Sequence, residues 1–308
     1  MDKKRTAIFK LSLAMLIFGS IGIFRRGIPL SSSWIACIRG VVGTLFLMAV
    51  VLLSGKKMDG RAIKRNWLPL LISGAAIGFN WILLFEAYNF TSIAVATLCY
   101  YMAPVLVIIV SPFLLKERLT LKKAACVVVA VVGMLLVSGI FEAGAAKMVG
   151  AKGIVFGLGA AVLYATAMLT NKFLKEISSY DRTIMQLGIA ALVVLPYAYA
   201  TAGVKEFSDL ATGAKDVFGV TIGNLPFTLV LLAIVGIVHT GIAYWLYFGS
   251  MDDLSGQTIA VCSYIDPAFA VVFSVVVLGE ENGFLGILGA VLILGSMLIS
   301  EWTGKKKE

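Results

Sequence analysis

The sequence has few charged residues and a single histidine among its 308 positions. Aspartate, glutamate, lysine and arginine together make up 14% of the chain, whereas 60% of it is hydrophobic. Soluble proteins average about 25% charged and about 45–50% apolar residues. Because a water-soluble domain cannot bury so much apolar surface, the composition predicts an integral membrane protein.

Sequence motifs of metal binding and catalysis are also missing. The four cysteines, Cys37, Cys99, Cys126 and Cys262, stand singly in apolar runs without a C-x-x-C spacing. One histidine cannot supply H-E-x-x-H, and neither G-x-S-x-G nor G-x-x-x-x-G-K-[ST] occurs. The sequence therefore predicts a protein that is not an enzyme and that needs no metal or cofactor.

The net charge of +9 is explained by membrane orientation rather than by nucleic-acid binding, because lysine and arginine cluster at the ends of apolar runs. With the N-terminus inside, eighteen of these residues fall in inner segments and six in outer ones, while Lys10 and Arg39 lie within spans. This bias predicts a multi-pass protein of the cytoplasmic (inner) membrane with both termini in the cytoplasm.

Ten apolar runs are long enough to cross a bilayer as helices, since a span needs about 20 residues. Continuous apolar runs of this kind exclude a closed β-barrel, whose strands alternate. The predicted spans are Ala7–Phe24, Trp34–Leu53, Trp67–Tyr88, Ile93–Leu115, Leu121–Gly139, Gly153–Thr170, Thr183–Ala200, Phe227–Phe248, Ser255–Leu278 and Phe284–Trp302.

An internal repeat relates the two halves of the chain. Residues 78–117 overlay residues 241–280 without a gap after a shift of 163, with ten identities that include Tyr101/Tyr264, Pro104/Pro267 and Glu117/Glu280. Each half then holds five spans, and an odd number inverts the second half relative to the first. Inverted repeats are typical of secondary transporters, which bind substrate near the membrane midplane.

These motifs resemble the EamA-type transporters of the drug/metabolite transporter superfamily. The resemblance rests on "FGS" from Phe18, "IRG" around Arg39, and the paired segments Tyr100–Glu117 and Ser263–Glu280. It implies an all-α integral membrane fold of ten transmembrane helices, arranged as two inverted five-helix repeats (residues 1–140 and 141–308) around a central cavity. It also implies alternating access without ATP. Phe18 departs from the tryptophan that is common in the family.

Asp266 and His239 are the ionisable residues predicted nearest the midplane. A rise of about 1.5 Å per residue places Asp266 about 16 Å deep in a core of about 30 Å. It is either a cation-binding or proton-coupling carboxylate, or a neutral acid bonded to a neighbouring helix. His239 is either a proton relay or substrate contact, or a neutral ring bonded to a backbone carbonyl.

Aromatic and polar side chains complete the predicted site. An aromatic cage for a cationic or planar substrate is expected from Tyr100, Tyr101, Tyr164, Tyr264, Trp81 and Trp245, although such residues also serve packing and interfacial belts. Arg39 either attracts a substrate carboxylate, pairs with Glu86, or extends outward. Asn80 hydrogen-bonds either to substrate or to another helix.

The residues that occur in both repeats are predicted to act as hinges and gates. Pro104 and Pro267 are expected to kink their helices as hinges, or simply to curve them for packing. Glu117 and Glu280 end their spans on opposite faces, as gate latches or as solvated charges.

The functional prediction is a secondary active transporter of small polar metabolites. We expect amino acid or amine efflux coupled to protons, by a monomer or homodimer in the lipid bilayer; uptake or exchange of cationic amines such as quaternary ammonium compounds is the alternative. A passive channel fits less well, because the inverted repeat is typical of transporters.

Overall fold

The computed structural model describes residues 3–90, 96, 99–137, 151–212, 214–217, 220–269, 273 and 284–301. Within these ranges the chain is built of helices joined by short connections, with one short β-hairpin. The predicted latch residue Glu280 lies outside the described residues, as do parts of the predicted fourth, fifth, ninth and tenth spans.

Helices follow one another along almost the whole described chain. In chain order they are α1 (Lys3–Arg26), α2 (Ser32–Leu53), α3 (Gly60–Arg65), α4 (Trp67–Phe90), α5 (Ala103–Leu114), α6 (Leu121–Val137), α7 (Ala151–Asn171), α8 (Ser179–Ala202), α9 (Lys205–Thr212), α10 (Asn224–Gly236), a π-helix (Ile237–Ile242), α11 (Ala243–Ser250), α12 (Gly256–Ser263) and α13 (Phe284–Glu301). Between α9 and α10, strands β1 (Ala214–Val217) and β2 (Val220–Gly223) pair antiparallel.

Among the residues that the structure describes, six helices are long and apolar enough to cross a bilayer. They are Lys3–Arg25, Ser32–Leu53, Trp67–Phe90, Ala151–Asn171, Ser179–Ala202 and the continuous run Leu225–Ser250. Each has at least 21 residues, which at about 1.5 Å per residue covers the hydrocarbon core. Large apolar side chains such as Leu53 and Phe113 remain exposed, as lipid contact requires. The protein is therefore a multi-pass helical membrane protein.

Two helices of the repeat are interrupted at equivalent tyrosines. Helical residues 99–100 are followed by a turn at Tyr101 and Met102, after which α5 begins with Pro104 in its first turn. In the second half α12 ends at Ser263, Tyr264 forms the turn, and residues 265–269 are helical again. Proline at the start of a helix loses no hydrogen bond, because the first N–H groups have no partner there. The predicted kinks at the prolines are thus breaks that precede them.

Hydrogen bonds between connections gather polar groups at the two ends of the bundle. At one end, called here the Asp252 end, the predicted inner segments meet around Glu117, Lys172, Arg182 and Asp252. At the opposite end, the Trp34 indole donates to the Gly203 carbonyl at 2.7 Å. The candidate site lies between these ends.

Candidate functional site

A cluster of aromatic rings fills the centre of the bundle. The rings of Tyr100 and Tyr164 stack with centroids 5.4 Å apart, and the Tyr164 hydroxyl lies 3.1 Å from that of Tyr247. Tyr244, one turn before Tyr247 in α11, lies 5.0 Å from the Phe18 ring. Four helices that are distant in sequence thus place aromatic side chains around one point.

This cluster lines a small cavity. Its walls are Ile77, Asn80, Tyr100, Tyr164, Ala167, Met168, Tyr244, Tyr247 and Phe248. The space open to the centre of a water molecule is about 10 Å³, which is room for about one water. A metabolite therefore enters only after the surrounding helices move apart.

Arg39 lies beside this cavity on α2. Its guanidinium carbon is 4.1 Å from the centroid of the Trp81 ring, an arrangement suited to a cation–π interaction. Its Nε is buried without a hydrogen-bond partner. Glu86, the predicted ion-pair partner, instead accepts a hydrogen bond from the Tyr197 hydroxyl. Among the described residues Arg39 has no ion-pair partner.

Asp266 also lies near these tyrosines. Its carboxyl is an electrostatic neighbour of the Tyr101 phenol, at the break in the fourth predicted span. Tyr100 and Tyr244 are electrostatic neighbours of both Asp266 and Arg39. A positive and a negative group therefore face the same tyrosines, and the described part of the chain contains no ion pair between them.

His239 is buried within the π-helix, near α1 and α2. Its Nε2 lies 3.0 Å from the Ser20 hydroxyl, and its ring centroid lies 4.8 Å from that of Phe24. Its Nδ1 is 3.5 Å from the carbonyl oxygen of Ile234, which lies five residues earlier, in α10. The ring is not among the residues that line the cavity, but the charge of Arg39 acts on it.

Other predicted site residues serve contacts between helices. The Asn80 side-chain amide donates a 2.7 Å hydrogen bond to the Ala160 carbonyl while the residue also lines the cavity. The Tyr264 hydroxyl donates to the Tyr101 carbonyl at 3.0 Å. Trp245 stacks on Tyr180 with centroids 5.0 Å apart and does not line the cavity.

Tyr244 and Tyr247 are cavity residues that sequence reasoning missed. The signal for Tyr244 was present, because the shift of 163 pairs it with Trp81, and the two rings lie 6.2 Å apart. Tyr247 has no such signal, since its counterpart in the repeat is Leu84. Its spacing of three residues from Tyr244 places both rings on one helix face.

Charged side chains fasten the connections at the Asp252 end. Glu117 accepts hydrogen bonds from the backbone N–H groups of Gly256 and Gln257, at 2.8 and 3.3 Å, and so caps the start of α12. Arg182, which is 1% exposed, binds both carboxylate oxygens of Asp252 at 2.9 Å.

Lys172, directly after α7, also binds the connection between α11 and α12. Its Nζ donates to the carbonyl oxygens of Met251 and Leu254, at 2.6 and 2.5 Å. Burial lowers the pKa of Lys172, and the carboxylates of Glu117 and Asp252 oppose that shift. These bonds tie the connection between α11 and α12 to the end of α7.

Comparisons with known proteins agree on one family. The model of the EamA-like transporter family matches residues 5–139 and 151–301. The uncharacterized transporter YxxF of Bacillus subtilis (strain 168) is 31% identical over 97% of this chain and 90% of its own length. An uncharacterized transporter of Archaeoglobus fulgidus is 24% identical over 94% of this chain and 93% of its own length. A solved crystal structure shares the fold, with a TM-score of 0.77, 17% identity and coverage of 96% of this chain and 97% of that one.

Proposed function

The chain belongs to the EamA-like transporter family, and we propose that it is a secondary active transporter that exports small zwitterionic metabolites, such as amino acids, and related amines across the cytoplasmic membrane. Its relatives carry the name of transporters without a substrate. The proposal of a substrate class therefore depends on the chemistry of the cavity.

The observation that carries this proposal is Arg39, which has no ion-pair partner among the described residues. An isolated charge in the bilayer interior costs several kcal/mol, so such residues normally pair or serve function. In the described part of the chain, Arg39 has a buried Nε without a hydrogen-bond partner and an aromatic ring beneath its guanidinium. A substrate carboxylate supplies the missing anion, and the planar guanidinium binds carboxylates in bidentate geometry.

Asp266 supplies the complementary charge for an amino group. It faces Tyr100 and Tyr244, as Arg39 does, from the side of Tyr101. Tyrosine rings between the two charges favour an ammonium group by cation–π interaction. A ligand that carries both charges neutralises both residues, whereas a ligand with one charge leaves the other residue unpaired.

The architecture proposed for this transport is ten helices in two inverted repeats, residues 1–140 and 141–308, with both termini in the cytoplasm. The equivalent breaks at Tyr101 and Tyr264 support it, as does the match of the family to two successive segments. In this arrangement the Asp252 end is the cytoplasmic gate. Alternating access opens that gate when the opposite end closes.

A cationic amine without a carboxylate is the second candidate substrate. The stacked rings of Tyr100 and Tyr164 beside Asp266 favour it, because aromatic rings with one carboxylate bind quaternary ammonium groups. Such a ligand would leave Arg39 without an anion. The guanidinium of Arg39 therefore favours the zwitterion over the cationic amine as the substrate.

Reconstitution in proteoliposomes tests the proposal. We expect saturable transport of an amino acid found in a thermal-shift screen of amino acids, amines and nucleosides. An imposed pH gradient should change its steady-state accumulation. Substrate loaded on the side of the Asp252 end should leave faster under one direction of the pH gradient than under the reverse. Flux that never saturates would indicate a channel, and covalent change of the substrate would indicate an enzyme.

A further inference from the structure

His239 has hydrogen-bond partners that suit a protonated ring. The Ser20 hydroxyl donates to the Ile17 carbonyl at 2.8 Å, so its oxygen remains an acceptor for Nε2–H of His239 at 3.0 Å. On the other side Nδ1 faces the Ile234 carbonyl oxygen at 3.5 Å, which can only accept. A neutral imidazole satisfies both contacts only if the Ser20 hydroxyl turns from the Ile17 carbonyl to donate to Nε2, whereas imidazolium satisfies both with the bond to Ile17 kept.

The π-helix creates this arrangement. Its wider turn aligns side chains with carbonyl oxygens five residues earlier: His239 with Ile234, and Thr240, whose hydroxyl donates to the Val235 carbonyl at 2.9 Å. Single π-turns within α-helices are frequent at functional sites. Here the π-turn gives a buried histidine a second acceptor.

Burial of the ring and the charge of Arg39 both oppose its protonation. A Cβ on Gly43 would lie 3.0 Å from the Gly236 carbonyl oxygen, so α2 approaches the π-helix closely. Arg39 precedes Gly43 by one turn on the same face, and its charge acts on His239. The other neighbours of the ring that the structure describes are uncharged: Ser20 and Phe24 from α1 and the Ile234 carbonyl from α10.

We infer that His239 is the residue that binds the coupling proton, and that Arg39 links this proton to the substrate carboxylate. This inference rests on the proposed function, because it requires an anionic group on the substrate. With Arg39 free of an anion, the burial of the ring and the repulsion between two positive charges on adjacent helices keep His239 neutral. When a carboxylate neutralises Arg39, the repulsion is removed and both acceptors around the ring favour imidazolium.

The coupling is reciprocal. If the carboxylate makes protonation easier, protonation strengthens carboxylate binding by the same factor. Substrate and proton therefore bind together and cross the membrane in the same direction, so export through this site needs an outward gradient of the substrate or of protons. With the proton on His239, Asp266 remains free to bind the substrate ammonium, so one site binds both the substrate and the proton.

The single histidine of the chain allows a direct test. Protein with isotope-labelled histidine and a histidine-free tag, in lipid nanodiscs, gives NMR signals of His239 alone. They are followed over about two pH units on each side of the ordinary histidine pKa of about 6.5. Wild type is compared with Arg39→Gln, with the charge-conserving control Arg39→Lys, and with Ser20→Ala.

We expect Arg39→Gln to raise the titration midpoint of His239 by about one pH unit or more, since a like charge is removed. Arg39→Lys should keep the wild-type midpoint. Ser20→Ala should lower it, because the acceptor of Nε2–H is lost. An excess of glycine betaine, a zwitterion whose own groups do not titrate in this range, should raise the midpoint of wild type and leave Arg39→Gln unchanged.

Equal midpoints in wild type and Arg39→Gln would overturn the inference, as would a His239 that stays neutral throughout in every variant. If Arg39→Gln does not fold, an unaltered midpoint in Ser20→Ala overturns it instead. A midpoint that moves with Arg39→Gln but not with glycine betaine supports the link between Arg39 and His239 and counts against the zwitterionic substrate of the proposed function.

Discussion

The Tyr264 hydroxyl donates a 3.0 Å hydrogen bond to the backbone carbonyl of Tyr101, its counterpart 163 residues earlier. Both tyrosines occupy the break in their helix. The carbonyl of Tyr101 precedes the start of α5 at Ala103, so a side chain from the other half of the chain satisfies it. The two repeats are thus joined at the point where each helix is interrupted.

Tyr264→Phe should weaken this junction. The substitution keeps the ring but leaves the Tyr101 carbonyl without its donor in a buried site, at a cost of about 1–3 kcal/mol in the free energy of unfolding. Thermal unfolding in detergent measures the change. Tyr100→Phe is the matched control, because it also keeps its ring and removes a hydroxyl that makes no hydrogen bond within the described part of the chain. A fall of the unfolding midpoint in both variants alike would contradict the assignment.

The break at the tyrosines also shows which features of the site can be predicted from the sequence. The repeat predicted that Tyr101 and Tyr264 are equivalent and lie at similar depth. It could not predict that Tyr264 turns toward the backbone of Tyr101 while the cavity is lined by Tyr244 and Tyr247. Side-chain direction depends on how the two repeats pack on each other, and a sequence period fixes only the face of a single helix.

The role of the Arg39 charge could not be predicted from the sequence either. Its isolation in an apolar span predicted function or an ion pair, and its sequence neighbours did not distinguish the two. The Tyr197 hydroxyl, which bonds to Glu86, belongs to a distant helix. Only the packing of α4 against α8 shows that the expected partner of Arg39 is already engaged.

Asp252→Asn should lower the free energy of unfolding by more than the exposure of Asp252 suggests. Asp252 is 53% exposed, but its partner Arg182 is 1% exposed. Losing the carboxylate removes hydrogen bonds to a buried charge, which contribute about 1.5–3 kcal/mol. The exposed pair Arg65–Glu176 is the control, since Glu176→Gln should cost at most about 1 kcal/mol. Equal unfolding midpoints for the two variants would show that Arg182 does not depend on Asp252.

Lys172 should make the stability of the protein depend on alkaline pH. Burial lowers its pKa from the ordinary value of 10.5, so the folded state binds this proton less tightly than the unfolded chain does. Between the lowered pKa and 10.5 the unfolded state carries more protons, and stability rises with pH. Wild type should therefore gain unfolding temperature relative to Lys172→Met as pH increases through this window. A difference that stays constant or shrinks would contradict the burial of a charged amine.

Gly43→Ala should disturb the contact between α2 and the π-helix. Its Cβ would lie 3.0 Å from the Gly236 carbonyl oxygen and 3.1 Å from the Gly241 nitrogen, which are both backbone atoms that cannot rotate away. Overpacking of this kind costs about 1–3 kcal/mol. Gly22→Ala is the control, because nothing lies within 4 Å of the added atom there. If both variants unfold at the wild-type temperature, the approach of α2 is looser than described.

The most direct test of the central claim compares ligands that differ only in charge. For each amino acid that stabilises the protein, affinity is measured beside the amine without its carboxylate and the acid without its amino group, in wild type, Arg39→Gln and Asp266→Asn. We predict that wild type prefers the zwitterion, and that each folded variant binds it about 10-fold to 100-fold more weakly, as the loss of one charged hydrogen bond implies. Arg39→Gln should lose the preference over the amine, and Asp266→Asn the preference over the acid. Wild-type affinity for the zwitterion in both variants would contradict the claim that Arg39 and Asp266 bind the substrate.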